Sequence, residues 1–241
     1  MRSVVCWLIS TIGVPGSCGL AQAQVTPFGP TPYVQFTDSP FASMSFGSFH
    51  LETFEDHLFN VPGVTASAGG VTSSAFGPSQ HDSVDADDGT IDGSGLAGDS
   101  YFAASGVTGI RFNFSAAVLG SLPTSAGLVW TDGAFATAVT FTAFGPAGEV
   151  LLSTTVGGFA DSSFDGGTAE DRFFGVSSNS GILAIAIGNA GGSSGIEIDH
   201  LQYGSAVPEP ATHALWLSGL AALVAYRMRR VKKKSLAAAT R

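Results

Sequence analysis

The sequence predicts an all-β protein whose body is a jelly-roll-like β-sandwich. From residue 49 onwards, short apolar or alternating runs are bounded by Gly, Ser, Asp and Pro, which is the pattern of strands joined by turns. No window before residue 211 shows the 3.6-residue apolar period of an amphipathic helix. The 241 residues include 32 glycines and only 12% charged residues, which excludes a helical bundle.

Nine strands are predicted in a single body at residues 49–206. They lie at 49–54, 100–104, 109–114, 127–131, 138–144, 150–155, 172–177, 182–187 and 196–203. One long loop at 61–98 separates the first two strands, and loops of this length are usually functional or disordered. Four prolines in residues 24–48 predict a flexible N-terminal segment with room for one strand at 33–37.

Residues 1–23 have the layout of a secretory signal peptide. An apolar run at 4–14 is followed by Ala21 and Ala23, the small residues that signal peptidase requires before its cleavage site. The exported form is therefore predicted to begin at Gln24. An uncleaved anchor is the alternative, but the apolar run is short for a membrane span.

Both cysteines, Cys6 and Cys18, lie inside this predicted signal. A lipid anchor on Cys18 is a further alternative, although the preceding Pro15-Gly16-Ser17 lacks the expected leucine. After cleavage the chain has no thiol, which excludes disulfides, Cys nucleophiles and Cys-ligated metal sites.

The predicted exported body is strongly acidic. Residues 24–210 contain all nineteen acidic residues but only two basic ones, Arg111 and Arg172, and so carry a formal charge of −17. Such a surface excludes nucleic acid as a partner and attracts divalent cations.

An apolar stretch at 211–226 predicts one membrane-spanning helix. Its 16 residues would cover about 24 Å as a helix, slightly less than the roughly 30 Å hydrocarbon core, so flanking residues must snorkel. A basic cluster follows, which stops transfer and keeps the tail at 235–241 in the cytoplasm. The cluster consists of Arg227, Arg229, Arg230, Lys232, Lys233 and Lys234. A buried core helix, the alternative, would rarely precede six cations in eight residues.

Directly before the apolar stretch stands the motif Val207, Pro208, Glu209 and Pro210. Together with the helix and the basic cluster, this motif resembles the PEP-CTERM sorting signal over residues 207–234. The resemblance implies an exosortase as partner, which processes a chain transiently anchored in the inner membrane and delivers it to the cell surface or the extracellular space. The prolines hold Glu209 in an extended conformation, which a protease needs in its substrate.

Two further segments, 171–176 and 195–204, resemble bodies common among PEP-CTERM proteins. The second also resembles the last strand of carbohydrate-binding jelly rolls, which carry a structural calcium ion in this region. Because the N- and C-terminal strands of a jelly roll are commonly neighbours, Glu52 and Glu55 are predicted to approach Asp199. In a regular strand, Asp199 points to the same face as Leu201 and Tyr203, which is partly apolar. A carboxylate buried on that face needs a partner such as Ca²⁺. Hydrogen bonds from loop amides are the alternative.

A second, weaker calcium set consists of Asp88, Asp92 and Asp99, whose spacing partly matches a calcium-binding loop. Thr90 replaces the usual Asp or Asn, Asp99 replaces the bidentate Glu, and no flanking helices are predicted. A solvated loop without a bound ion is the alternative.

Trp130 is the candidate sugar-stacking residue, with Tyr101 and Tyr203 as further aromatic candidates. It ends a predicted strand next to polar loop residues, where an exposed ring could bind a glycan. A place in the hydrophobic core is the alternative.

No catalytic motif is present. The sequence has no Gly-x-Ser-x-Gly elbow on a strand-turn-helix frame, no His-Glu-x-x-His and no phosphate-binding Gly-x-x-x-x-Gly-Lys. The sequence therefore predicts a non-enzymatic, exported surface or extracellular-matrix protein. A carbohydrate-binding module for exopolysaccharide is the alternative, and a secreted glycosidase, which needs only two suitably spaced carboxylates, is a third hypothesis.

Overall fold

A computed structural model describes residues 24–75, 82–104, 106–133, 136–190 and 195–207, together with 219, 220, 223, 224, 226 and 227. These residues form twelve strands in two sheets, and every strand pair is antiparallel. The strands are β1 (Val25–Pro32), β2 (Phe46–Glu52), β3 (Val64–Ala66), β4 (Gly70–Val71), β5 (Tyr101–Ala104), β6 (Ile110–Phe114), β7 (Ser125–Asp132), β8 (Ala138–Phe144), β9 (Val150–Val156), β10 (Arg172–Ser178), β11 (Ala184–Ala190) and β12 (Gly195–Ala206). The described residues also form two short helices, α1 (Thr72–Ala75) and α2 (Ala116–Leu119), and several 3-10 turns.

The two sheets enclose one hydrophobic core. The larger sheet has the order β1-β10-β7-β12-β5-β4, with β2 also paired to β12, and the smaller sheet has the order β3-β6-β11-β8-β9. The core contains Trp130 and Phe174 from the larger sheet and Phe112 and Phe141 from the smaller one. The rings of Phe141 and Phe174 stack across the interface with centroids 6.0 Å apart. The fold is therefore a β-sandwich, and the all-β prediction is confirmed.

Strands of the smaller sheet follow the alternation that predicted them. In β8, Val139, Phe141 and Ala143 are buried and the intervening residues are half-buried. The same two-residue period appears in β6, where Ile110, Phe112 and Phe114 are buried. Alternate side chains of a strand point to opposite faces, so this pattern places one face on the core and the other towards solvent.

The larger sheet is covered on both faces. All eight residues of β7 are buried, and a second apolar cluster lies on the outer face. It consists of Tyr33, Phe41, Val84, Val129 and Phe173. Segments that precede β2 and β5 supply Tyr33, Phe41 and Val84, so these segments form an outer layer on the sheet.

This outer layer corrects the prediction of a flexible segment at 24–48. Residues Val25–Pro32 pair with β10 at the edge of the larger sheet, and 3-10 turns at Phe36–Asp38 and Pro40–Ser43 follow. The strand predicted at 33–37 does not form. An edge strand tolerates proline because one side of its backbone needs no partner, which is why the prolines do not prevent β1.

The long loop predicted at 61–98 is also only partly a loop. It contains β3, β4 and α1, and then a 3-10 turn at Asp85–Asp88. Val84 and Asp85 are buried, so the second half of this segment packs onto the outer layer. Residues 76–81 lie outside the described part of the chain.

Two β-bulges change the direction of acidic side chains in the centre of the larger sheet. In the first, Trp130 pairs with Ile198 and Asp132 pairs with Glu197, which leaves Thr131 as an extra residue in β7. Directly paired residues share a face of the sheet. Asp132 and Glu197 therefore both face the outer layer, whereas Trp130 and Ile198 face the core.

The second bulge corrects the predicted parity of Asp199. Asp199 pairs with Val129 and Gln202 pairs with Gly127, so β12 contains one extra residue at this point. His200, whose φ angle is 43°, lies at the bulge. Asp199 consequently faces the outer layer, although Leu201 belongs to the core between the sheets.

The predicted signal peptide and the predicted C-terminal sorting signal lie mostly outside the described residues. Residues 1–23, the Pro208-Glu209-Pro210 motif and the cluster beyond Arg227 are not described. Of the predicted helix at 211–226, only 219, 220, 223, 224 and 226 are described, and all five are helical. Within the described part of the chain, no helix is both long and apolar enough to cross a membrane.

Candidate functional site

Acidic side chains are concentrated beneath the outer layer of the larger sheet. Asp132 ends β7, Glu197 lies in β12, and Glu170 ends the 3-10 turn Thr168–Glu170 that precedes β10. Asp82 and Asp171 lie in the adjoining connections. All five side chains are buried, with between 1% and 7% of their surface exposed.

Three of these residues form what we call the acid trio, namely Asp82, Asp132 and Glu170. Each offers one carboxylate oxygen, and these oxygens all lie within 4.8 Å of one another. Glu197 lies directly opposite Asp132 in the sheet, and like charges at opposed positions destabilise a strand pair. The trio therefore brings three carboxyl groups together in a buried position.

Hydrogen bonding satisfies this cluster only in part. The Glu170 carboxylate accepts the Asp161 amide at 2.8 Å, and the Glu197 carboxylate accepts the Asp82 amide at 3.1 Å. Asp82 Oδ1 has no hydrogen-bond partner among the described residues. Both carboxylate oxygens of Asp171 are likewise buried without one within that part of the chain.

The electrostatic consequence is a set of carboxyl groups that resist ionisation. Burial, followed by repulsion from Glu197, raises the pKa of Asp82 well above its usual range. Burial is also the main cause that raises the pKa of Glu170 to about 8, and Asp132 adds to this increase. Glu197 and Asp171 are shifted in the same direction, again mainly by burial. The cluster therefore requires protons or a cation.

A second group with metal-ligand spacing, Asp87, Asp199 and His200, differs from the trio in that each side chain has hydrogen-bond partners. His200 Nε2 lies 2.9 and 3.0 Å from the two Asp87 oxygens, and its Nδ1 lies 2.7 Å from the Tyr33 hydroxyl. The Val84 amide donates to Asp199 Oδ2 at 2.9 Å. These bonds tie the outer layer to β12, which indicates a structural role.

The calcium set predicted from Glu52, Glu55 and Asp199 is not brought together. The two strands are neighbours as expected, because Glu52 pairs with Leu201 across β2 and β12. Glu52, however, shares the inner face with Leu201, whereas the bulge at His200 turns Asp199 outwards. The Glu52 carboxylate instead accepts loop amides, and Glu55 accepts the Asp99 amide at 2.6 Å.

The weaker set of Asp88, Asp92 and Asp99 is not assembled either. Asp88 accepts the amide of Thr90 at 2.7 Å and Asp92 accepts that of Ser94 at 3.2 Å, so both form exposed local turns. Asp99 is buried elsewhere, where it contacts His57, Thr72 and Ser73.

The contact of Asp99 with His57 and Ser73 has the composition of a catalytic triad but not its geometry. Asp99 contacts His57 Nδ1, and the Ser73 hydroxyl lies 3.1 Å from the same nitrogen. A triad requires the acid and the nucleophile on opposite nitrogens of the imidazole. The Ser73 hydroxyl also donates to Asp99 at 2.8 Å, so it is engaged by the carboxylate.

Trp130 is not a sugar platform. Its side chain is 0% exposed and packs in the core, where Nε1 donates to Asn189 Oδ1 at 3.0 Å. Tyr101 and Tyr203 are buried as well. The prediction of a stacking site on Trp130 is therefore wrong, because the ring lies on the face of β7 that packs in the core.

Sequence reasoning missed the acid trio. Its members are separated by dozens of residues and lie in a connection, at the end of a strand and in a 3-10 turn, so no local motif includes them. The one available signal was the large excess of acidic over basic residues in the body, which predicts bound cations but does not locate them.

The predicted sorting motif directly follows the last strand of the sandwich. Strand β12 ends at Ala206, and the amide of Val207, the first residue of the predicted motif, lies 3.4 Å from the Ser45 carbonyl oxygen. The Val207 side chain is 48% exposed. The predicted sorting motif therefore begins directly at the edge of the folded body.

The described residues thus define an all-β body joined at its last strand to a C-terminal signal. Residues 206–230 match the family model described as the PEP-CTERM protein-sorting motif. The chain therefore carries a PEP-CTERM sorting motif, which confirms the resemblance seen in residues 207–234. A comparison with curated proteins found no match.

One solved structure is similar to the chain, a selenomethionine-labelled mutant of chitosan-binding module 1 from a chitosanase/glucanase of Paenibacillus sp. IK-5. The two are 20% identical over 64% of this chain and 100% of the module, with a TM-score of 0.29. At this TM-score the similarity supports no statement about the ligand of the present chain.

Proposed function

We propose that the protein is an exported, non-enzymatic surface or extracellular-matrix protein whose β-sandwich is delivered by an exosortase. The sorting motif at 206–230 is the observation that carries this proposal. Signal peptidase removes residues 1–23, and the C-terminal helix then anchors the chain transiently in the inner membrane with its basic tail in the cytoplasm. Exosortase processing at the motif releases the body or transfers it to the cell surface.

The position of β12 supports processing without loss of the fold. This strand pairs with β2, β5 and β7 in the larger sheet, and it ends at Ala206. A cut beyond Ala206 removes no strand from the described sandwich. Val207, the residue that follows this strand, is 48% exposed and so lies at the surface of the body.

The other two functions considered from the sequence receive no support from the site. The three aromatic residues proposed for sugar stacking are buried. The acid trio is also buried, with at most 7% of any side chain exposed, and so cannot reach a glycosidic bond without opening of the outer layer. We therefore propose neither carbohydrate binding nor glycoside hydrolysis.

Substitution Glu209→Ala tests the sorting route in the full chain, expressed in a host that contains an exosortase. Because the motif provides the recognised carboxylate, we expect the variant to stay in the membrane fraction with its basic tail, while the wild-type chain is processed. Immunoblotting with an antibody against residues 235–241 measures the retained tail.

Glu149→Ala is the matched control. Glu149 is an exposed glutamate in the turn between β8 and β9, far along the chain from the motif, so its loss should leave processing unchanged. Normal processing of the Glu209→Ala chain would refute the exosortase route.

A further inference from the structure

We propose that the acid trio, Asp82, Asp132 and Glu170, binds one structural calcium ion. The site is distinct from the two calcium sets considered from the sequence, because none of its residues belongs to either. It lies between the outer layer and the larger sheet, and it links the end of β7, the turn before β10 and the connection that enters β5.

The spacing of the trio suits a cation of this size. Calcium binds carboxylate oxygens at about 2.3–2.6 Å, so oxygens on opposite sides of one ion lie about 4.6–5.2 Å apart. One oxygen from each member of the trio lies within 4.8 Å of the other two. A single ion between them can therefore contact all three residues after small side-chain rotations.

The unpartnered oxygen of Asp82 points independently to a ligand. The Asp82 side chain is 4% exposed, and its Oδ1 has no hydrogen-bond donor in the described part of the chain. A buried carboxylate oxygen without a donor costs free energy, and a bound cation removes that cost by direct coordination. The Asp82 amide is held by Glu197, which fixes the backbone of this residue beside the trio.

Within the described part of the chain, the two arginines of the body contact other groups. The sequence between 24 and 207 contains only two arginines. Arg172 donates to the carbonyl oxygens of Ala169 and Asp171, and Arg111 lies in the smaller sheet with its guanidinium 3.9 Å from the Phe144 ring centroid. Both arginines therefore have other partners, and Glu197 and Asp171 place two more carboxyl groups near Asp82.

The chemistry of the ligands favours calcium over other metals. The trio offers only carboxylate oxygens, which suit hard cations and not the softer transition metals. Magnesium usually keeps several of its water ligands, and such a hydrated ion fits poorly among side chains that are at most 7% exposed. Calcium accepts irregular sets of protein oxygens more readily.

Thermal unfolding of the full chain in mild detergent tests the site, with CaCl₂ or the chelator EGTA as the only difference. Calcium that binds only the folded state raises Tm by roughly 5–10 °C when its concentration is a hundredfold above the dissociation constant. We expect this rise in the wild-type chain and its loss in Asp82→Asn and Glu170→Gln. The Asp82→Asn substitution removes the negative charge of the side chain. It breaks no hydrogen bond to Oδ1, because Oδ1 accepts none in the described part of the chain.

Asp199→Asn is the matched control, because Asp199 is another buried carboxylate on the outer face of β12 but belongs to the second group, where it accepts the Val84 amide. The calcium-dependent rise should persist in this variant. Equal Tm values for the wild-type chain in calcium and in chelator would overturn the proposal. So would a rise that survives Asp82→Asn and Glu170→Gln but disappears in Asp199→Asn.

Calorimetric titration of the chelator-treated wild-type chain with CaCl₂ keeps the test independent of how the variants fold. One binding site per chain is expected, and the absence of binding would contradict the site even if every variant unfolded. Processing at Glu209 does not enter this measurement, so failure of the calcium site and failure of the exosortase route are distinguishable.

Discussion

Substitution Trp130→Ala is expected to destabilise the folded chain by about 4 kcal/mol, within the range of buried Trp→Ala substitutions. The ring is 0% exposed and lies among core residues of both sheets. The substitution leaves a cavity between the sheets and removes the hydrogen bond to Asn189. Thermal unfolding of the full chain should show Tm lowered by roughly 8–16 °C.

Trp130→Phe is the control for this experiment. Phenylalanine retains most of the buried apolar surface and loses mainly the indole N–H bond, so a loss of about 1–2 kcal/mol is expected. Wild-type stability of the Ala variant would instead place the ring at the surface, as a sugar-stacking site requires.

Substitution Phe41→Ala is expected to cost about 3–4 kcal/mol of stability, by the same cavity argument. Phe41 is 1% exposed, and its ring contacts those of Phe28, Phe46 and Phe173 with centroids 5.5, 6.0 and 5.3 Å away. It therefore fastens the N-terminal segment to the outer face of the larger sheet. Denaturant unfolding of the full chain measures the change.

Phe164→Ala is the matched control, because the Phe164 side chain is 66% exposed. A surface substitution of this kind usually changes stability by no more than about 0.5 kcal/mol. Equal stability of the Phe41→Ala and wild-type chains would mean that residues 24–48 are flexible, as the sequence alone had suggested.

Strands of the smaller sheet could be predicted because their signal is local. In β6 and β8, one face packs on the core and the other meets solvent, so hydrophobic and polar residues alternate with period two. Turns such as Gly145-Pro146-Ala147-Gly148 mark where these strands end. The all-β class and most strand positions follow from these two features.

The face of the sheet on which each acidic side chain lies could not be predicted in the same way. A β-bulge inserts one residue and thereby reverses strand parity beyond that point. The extra residue Thr131 turns Asp132 outwards, and the extra residue in β12 turns Asp199 away from the face of Leu201. Nothing in either sequence segment distinguishes a bulge from a continuous strand.

The outer layer was missed because its contacts are distant in sequence. Tyr33 and Phe41 lie in a proline-rich segment, but their partner Phe173 is more than 130 residues away. The acid trio shows the same difficulty, since it exists only after β7, β10 and the connection before β5 have come together. The sorting motif, in contrast, is contiguous, and the sequence alone was sufficient to locate it.

Intact-mass analysis of the protein recovered from the cell surface and the culture medium tests the proposed sorting most directly. The expected mass corresponds to a chain that begins at Gln24 and lacks the basic cluster at 227–234. We expect this because export removes both the signal peptide and the C-terminal part of the sorting signal. A surface or extracellular form that still contains the chain through Arg241 would contradict exosortase processing.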